Sequence, residues 1–204
     1  MPDATKERIL SAAFELIRLN GPAGLTMEGA ADLAGVSRKT VYNHFTTRYS
    51  LMDEAIAARL DRCLADLEAI IADRESGFTK KLNLVLERGF SELRSCGRLI
   101  SYPRLSATGS ESQPVHKELN LRLSGFITNL VQEALESGVL KPVFQPERLT
   151  WVLINIVDGL LFLDELVDQA VSKADILKDS LKAILIGILT EEGNAALQNS
   201  PVFD

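Results

Sequence analysis

Apolar residues recur at helical spacing along nearly the whole chain, and no segment shows the strict alternation of a half-buried strand. Residues 4–19 place Ile9, Ala12, Ala13, Leu16 and Ile17 on one stripe, with Lys6, Glu7, Arg8, Glu15 and Arg18 outside it. Asn20-Gly21-Pro22 stops that helix. Two short helices are expected next, from Met27 to about Ala34 and from Ser37 to about Phe45. A longer one, from about Arg48 to Arg74, carries Leu51, Ala55, Ala58, Leu60, Leu64, Leu67, Ile70 and Ile71 and ends at Ser76-Gly77. A further helix spans roughly Thr79 to Arg94. A short segment near 98–105 and a polar loop over 106–114 lead into a long helix from about Val115 to Glu136. After a connector holding Pro142 and Pro146, the last two helices fall at roughly 147–168 and 173–191, and the tail from Asn194 is expected to fray. The pattern predicts an all-α chain with an N-terminal three-helix module over 1–48 and a larger helical domain over 49–204.

The three N-terminal helices form a bundle too small for much independent stability, so its base is expected to pack onto the fourth helix. Within the bundle, Thr26 is placed to cap the second helix, Gly35 permits the left-handed backbone that ends it, and Ser37 caps the third. Val41 and Phe45, four residues apart, share the inward face of that third helix. Arg38, Lys39, Tyr42 and Asn43 take the opposite face. From Ser37 to Arg48 there are three cations and no acid. In a helix-turn-helix, such an outward face at the start of the second helix enters the major groove of DNA. Gly29, inside the second helix, costs about 1 kcal/mol relative to Ala, which predicts a soft element.

Charge sharpens this reading, because the chain as a whole is acidic at net -6. Residues 1–48 hold six basic against five acidic residues, leaving 16 basic against 23 acidic in the remainder. A protein that coated nucleic acid indiscriminately would be basic throughout. Here the positive charge is local, as suits docking at one site. With 204 residues and 46% apolar content the chain can bury a sizeable core. The N-terminus lacks the apolar core of a signal peptide. The longest apolar stretch, Trp151 to Leu163, is interrupted by Asn155 and Asp158, so no membrane partner is expected. Cys63 and Cys96 lack metal-ligand spacing and read as inert thiols in a reducing, cytoplasmic setting, with a redox switch as the alternative. His44 and His116 have no cysteine or carboxylate at ligand spacing, and no nucleophile–base pair or phosphate loop is visible. Neither a metal, a cofactor nor catalysis is expected.

The last two helices are apolar beyond one stripe and need cover on a second side. Val152, Ile156, Leu160 and Leu163 on one, with Leu181, Ile184, Leu185 and Ile188 on the other, are the expected faces of a four-helix dimer interface. The alternative is a central helix buried within a monomer.

These features together resemble the TetR family of bacterial transcriptional regulators. The residues that carry the resemblance are Ile9, Ala12-Ala13, Leu16 and Gly21, then Leu25-Thr26, Ala31 and Gly35-Val36-Ser37, then Thr40-Val41-Tyr42, His44-Phe45 and Leu51. The pattern covers about fifty residues; the rest is similar only in being helical and ending in an apolar helix pair. The resemblance implies a homodimer with one DNA-binding module per subunit and a ligand cavity in the larger domain. It implies phosphate contacts from Thr26, Tyr42, His44 and Arg48, where Arg stands for the usual Lys and keeps its charge. Ser37, Arg38, Lys39, Thr40 and Asn43 fall where base-edge and backbone contacts are made.

The expected activity is therefore a DNA-binding transcriptional regulator, a homodimeric repressor released from its double-stranded operator by a small hydrophobic or amphipathic effector. Phe90, Leu93, Tyr102, Leu105, Phe126, Trp151, Asn155 and Asp158 are the candidate lining of the effector cavity. Asn155 and Asp158 need partners on so apolar a helix, which a cavity or a dimer seam would supply. An activator, or a helix-turn-helix turned protein-interaction module without ligand response, are the alternatives. The fourth helix joins both domains and is the expected carrier of the signal.

Overall fold

The computed structural model describes residues 3–96, 113–161 and 173–198, with side chains at 3–92, 121–156 and 175–195. Described elements are α1 (Ala4–Asn20), α2 (Met27–Ala34), α3 (Arg38–His44), α4 (Arg48–Ala72), α5 (Phe78–Cys96), α6 (Gln113–Glu136), α7 (Pro146–Leu161), α8 (Lys173–Ile188) and α9 (Glu191–Gln198). The fold is all-α; among the described residues the only ladder contact is an antiparallel bridge between Leu140 and Leu189. No described helix is long and apolar enough to cross a membrane.

The chain divides into two compact units. The first holds α1 to α3, α4 as far as Arg62, and α6 as far as Asn120. The apolar stripe of α1 is buried as its spacing requires: Ile9, Ala13 and Ile17 are fully enclosed, as are Leu25, Ala30, Ala31, Val41, Leu51 and Ala55. α1 packs on α2, and α2 on α3. The start of α4 is part of the same unit rather than a loose linker. Lys6 pairs with Glu54 at 2.6 Å, Arg62 donates to the Ser11 hydroxyl at 3.4 Å, and the Arg59 guanidinium lies 5.6 Å from the Phe14 ring centre.

The second unit holds α4 from Cys63, α5, α6 from Leu121, and α7 to α9. α8 packs against both α5 and α7. Phe90 and Leu177 form a buried cluster with Leu86, Ile156, Ile176 and Leu181 around them. Ion pairs join α4, α5 and α6. Arg88 bonds both Asp66 at 2.9 Å and Glu92 at 2.7 Å, and Arg122 bonds Glu68 at 2.7 Å. The hydrogen bond to Glu92, reinforced by Asp66, raises the Arg88 pKa further above its already high ordinary value. Lys81 is buried, and its ammonium is shared between the Ile71 carbonyl at 3.0 Å and Glu133 at 2.6 Å. The Ile71 carbonyl lies in the last turn of α4, where a cation also meets the negative end of the helix dipole.

The C-terminal tail departs from expectation. α8 ends at Ile188, short of the expected 191, and α9 over Glu191–Gln198 runs into the tail from Asn194 that is expected to fray. The Thr190 hydroxyl accepts from the Gly193 N–H at 3.2 Å and so caps α9. Thr190 N–H bonds the Val139 carbonyl at 3.0 Å and Lys141 N–H the Ile188 carbonyl at 2.8 Å, so the 138–141 segment holds this break open. Thr190 followed by two acids, Glu191 and Glu192, is a capping signature that identifies the helix start.

Replacing Lys81 by Met should lower the unfolding free energy by about 2 kcal/mol, because Glu133 is half-buried and loses its partner. Adding Glu133→Leu to that variant should recover most of the loss. Urea titration of the three chains checks both, and an unchanged midpoint for Lys81→Met would rule out the three-helix tie.

Candidate nucleic-acid interface

Side-chain caps shape residues 26–50. The Thr26 hydroxyl accepts from Gly29 N–H at 2.9 Å and starts α2. Gly35 ends it at φ 64, ψ 41, a left-handed conformation that a Cβ would disfavour. Its N–H bonds the Asp32 carbonyl at 3.2 Å and Val36 N–H bonds the Ala31 carbonyl at 3.0 Å, the paired closure of a Schellman turn. The Ser37 hydroxyl accepts from Thr40 N–H at 3.1 Å and lies 2.7 Å from the Thr40 hydroxyl, which starts α3. Thr47 and Ser50 exchange backbone-to-hydroxyl bonds of 3.0 and 3.2 Å at the head of α4.

These caps set the face that α3 presents. Val41 and Phe45 are buried at 0% and 1% exposure, so the residues between them must point outward. Ser37, Arg38, Lys39, Tyr42 and Asn43 are exposed, as is Thr26; Thr40, His44 and Arg48 are half-buried. His44 Nε2 lies 3.6 Å from the carboxylate of Asp3, whose other oxygen caps α1. Arg48 donates to the Leu25 carbonyl at 3.5 Å and lies 5.3 Å from the Tyr49 ring centre. Of the nine residues expected at a DNA contact, Thr26 caps the start of α2, seven lie on α3 or its cap, and Arg48 heads α4.

Two residues have structural roles that spacing did not reveal. Arg8 reaches from α1 with one terminal nitrogen, donating to the carbonyls of Ala34 and Gly35, the latter at 3.2 Å. A Cβ on Gly29 would lie 2.9 Å from the Thr26 hydroxyl oxygen and 3.3 Å from Leu16 Cδ1. Gly29 is therefore not a weak point tolerated in α2. Its missing side chain leaves room for the cap and for α1. Only a contact across the fold distinguishes that from a poor helix former.

The effector and dimer residues fare differently. Phe90 and Phe126 are buried. Trp151 is 65% exposed, and exposed Asn155 donates back to its carbonyl at 2.7 Å, so neither faces an interior cavity. The partner that Asn155 requires is its own helix, one turn back. The side chains of Leu93 and Asp158 lie outside the described residues, as do Tyr102 and Leu105 entirely. An open groove of about 560 Å³ lies along the first turns of α5, lined by Phe78, Thr79, Lys80, Asn83 and Leu84 with Ser137, Val139 and Glu192, and holds none of the eight. Of the expected dimer faces, Val152 is exposed, but Leu185 and Ile188 are buried within the chain and Ile156 and Leu181 flank Phe90. Ile184 is half-buried, and the Leu160 side chain and Leu163 lie outside the described residues. α8 is turned so that Lys182, Ala183, Ile186 and Gly187 face outward instead. An apolar helix has more than one plausible buried face, and packing against α5 selects between them.

Residues 9–55 match the family model of the bacterial regulatory proteins of the tetR family. Over 200 residues the chain is 23% identical to the HTH-type transcriptional regulator UidR of Escherichia coli K12, covering 91% of this chain and 93% of that one. Its fold is similar to a putative transcriptional regulator from Saccharomonospora viridis in complex with choline, at TM-score 0.68 and 17% identity, over 91% of this chain and 98% of the other. It is also similar to the regulator FadR of Bacillus subtilis in complex with stearoyl-CoA, at TM-score 0.63 and 21% identity, over 89% and 98%. These relatives are named as regulators of transcription, not as enzymes.

Helix propensity alone predicts that Gly29→Ala gains about 1 kcal/mol. The crowded cap predicts the opposite, a loss of up to about 1 kcal/mol as Thr26 is displaced. Thermal unfolding of the two chains decides, and a higher midpoint for the Ala variant would refute the close-approach reading.

Proposed function

Because the chain belongs to the TetR family of bacterial transcriptional regulators, we propose that it is a homodimeric repressor that leaves a two-fold DNA operator when a small ligand binds. The observation that carries the DNA half is the division of α3: Val41 and Phe45 inward, Arg38, Lys39, Tyr42 and Asn43 outward in a stretch with no acid. Residues 1–48 do the reading in this proposal, and 49–204 the sensing and pairing. Arg38 and Lys39 suit guanine edges, Asn43 suits adenine, and Thr26, Tyr42, His44 and Arg48 suit phosphates. Ser37 and Thr40, committed to the cap, contribute through backbone and shared hydroxyls.

Two copies of α3 related by a two-fold would read successive major grooves when about 34 Å apart. Release then needs only a ligand with higher affinity for a different separation. α4, which like α6 belongs to both compact units and which follows α3 directly, is the element through which such a difference would pass. The complexes of similar proteins with stearoyl-CoA and with choline favour a small organic effector. Phe90 and Phe126 are the candidate lining that this proposal retains. For the dimer, exposed Trp151 and Val152 on α7 and Ile186 on α8, beside Ala183 and Gly187, supply apolar surface that a second copy would cover.

Selection of bound fragments from random DNA by the full chain should recover a palindromic site. Arg38→Ala with Lys39→Ala should then weaken binding to that site at least about 1,000-fold, since each contact is worth about 1–3 kcal/mol and a dimer loses four. Equal affinity of the two proteins would reject the reading.

Val152→Arg with Ile186→Arg should convert the dimer to a helical monomer in light scattering and abolish tight binding to the selected site. A variant that remains dimeric would remove the proposed pairing face.

A further inference from the structure

α2 spans Met27 to Ala34, so half of its carbonyls lie in its last turn, without partners inside the helix. The Schellman turn uses those of Ala31 and Asp32. Arg8 takes two of the next carbonyls, Ala34 and Gly35. Those two belong to the Ala34–Gly35 and Gly35–Val36 peptides, which lead out of α2 towards Ser37, the cap of α3. The first helix therefore grips the backbone at the point where the direction of α3 is decided. Gly35 fits the same grip: a Cβ there would lie 3.3 Å from the Arg8 nitrogen that donates.

We propose that Arg8 is a positioning residue for the recognition helix: it sets the angle of α3 through the Ala34 and Gly35 carbonyls and makes no phosphate contact itself. This rests on α3 being the DNA-reading element. An arginine in a DNA-binding module is ordinarily counted among the cations that neutralise phosphates. Here the guanidinium nitrogen is spent on two carbonyls across 26 and 27 residues of chain. Both bonds come from the terminal nitrogen, and lysine, which keeps the charge on a shorter side chain, falls short of that position.

The test uses the full chain and a duplex recovered by selection with the unaltered protein, with affinity measured across a range of KCl concentrations. Arg8→Ala and Arg8→Lys should each weaken binding to that duplex at least about tenfold and leave the slope of log K against log salt unchanged. Affinity for a scrambled duplex should change less than twofold. Arg48→Ala, the comparison variant that removes a proposed phosphate contact, should lower the slope by about one for each subunit. A slope lowered in Arg8→Ala but restored in Arg8→Lys would make Arg8 a phosphate contact and overturn the proposal. Unaltered affinity for the selected duplex in both variants would also overturn it. Should Arg8→Ala unfold, Arg8→Lys alone carries the test, since it keeps the charge while losing the paired grip. Failure to select any duplex would instead count against the DNA-binding reading on which the proposal stands.

Discussion

A helix of eight residues has about as many backbone groups without internal partners as with them, so α2 exists only if both its ends are closed from outside. Thr26 closes the start. The end is closed by the left-handed Gly35, by the N–H groups of Gly35 and Val36, and by Arg8 from another helix. That closure is the constraint on which the outward face of α3 depends. Ser37 starts α3 two residues later, so a loosened turn would misdirect every outward side chain on it. The apolar contacts beneath, Val41 and Phe45, hold α3 to the bundle, but a buried valine alone does not fix a helix's angle. Directional hydrogen bonds to the turn do that more firmly than packing.

The second unit is organised by a different force. α4, α5 and α6 are tied by Arg88, Arg122 and Lys81 to carboxylates and to a helix-end carbonyl. Such ties are directional and resist sliding, whereas apolar helix faces re-pack at little cost. A helix expected to carry a signal between two regions gains from the former. Elsewhere in that unit apolar side chains pack together, as Phe90 and Leu177 do. The acidic surplus of the chain also lies beyond residue 48, which keeps the positive charge of α3 local and favours approach to DNA by one face.

Legibility followed range. The helices and the turn between α2 and α3 could be read from the chain because caps, glycine and apolar spacing act within a few residues. The α3 face was readable for the same reason, since Val41 and Phe45 define inward and therefore outward. α9 was missed although its signal is equally local: Thr190 with its two acids announces it, where a frayed tail was expected. Gly29 was misleading because propensity concerns a helix in isolation, whereas its neighbour is Leu16 on another helix. Trp151, Asn155, Leu185 and Ile188 were misplaced because an apolar helix offers several faces and sequence alone ranks them equally.

What the amino-acid sequence determined by itself is the all-helical architecture, the presence of a helix-turn-helix and the residues its second helix turns outward. Each is a consequence of periodicity and of short-range hydrogen bonding. Tertiary structure alone decided which faces of α7 and α8 are spent inside the chain, why α2 tolerates a glycine, and that Arg8 holds the turn. The physical reason is that these depend on groups 13 to 27 residues apart or on different helices, and only the folded chain brings such groups within reach.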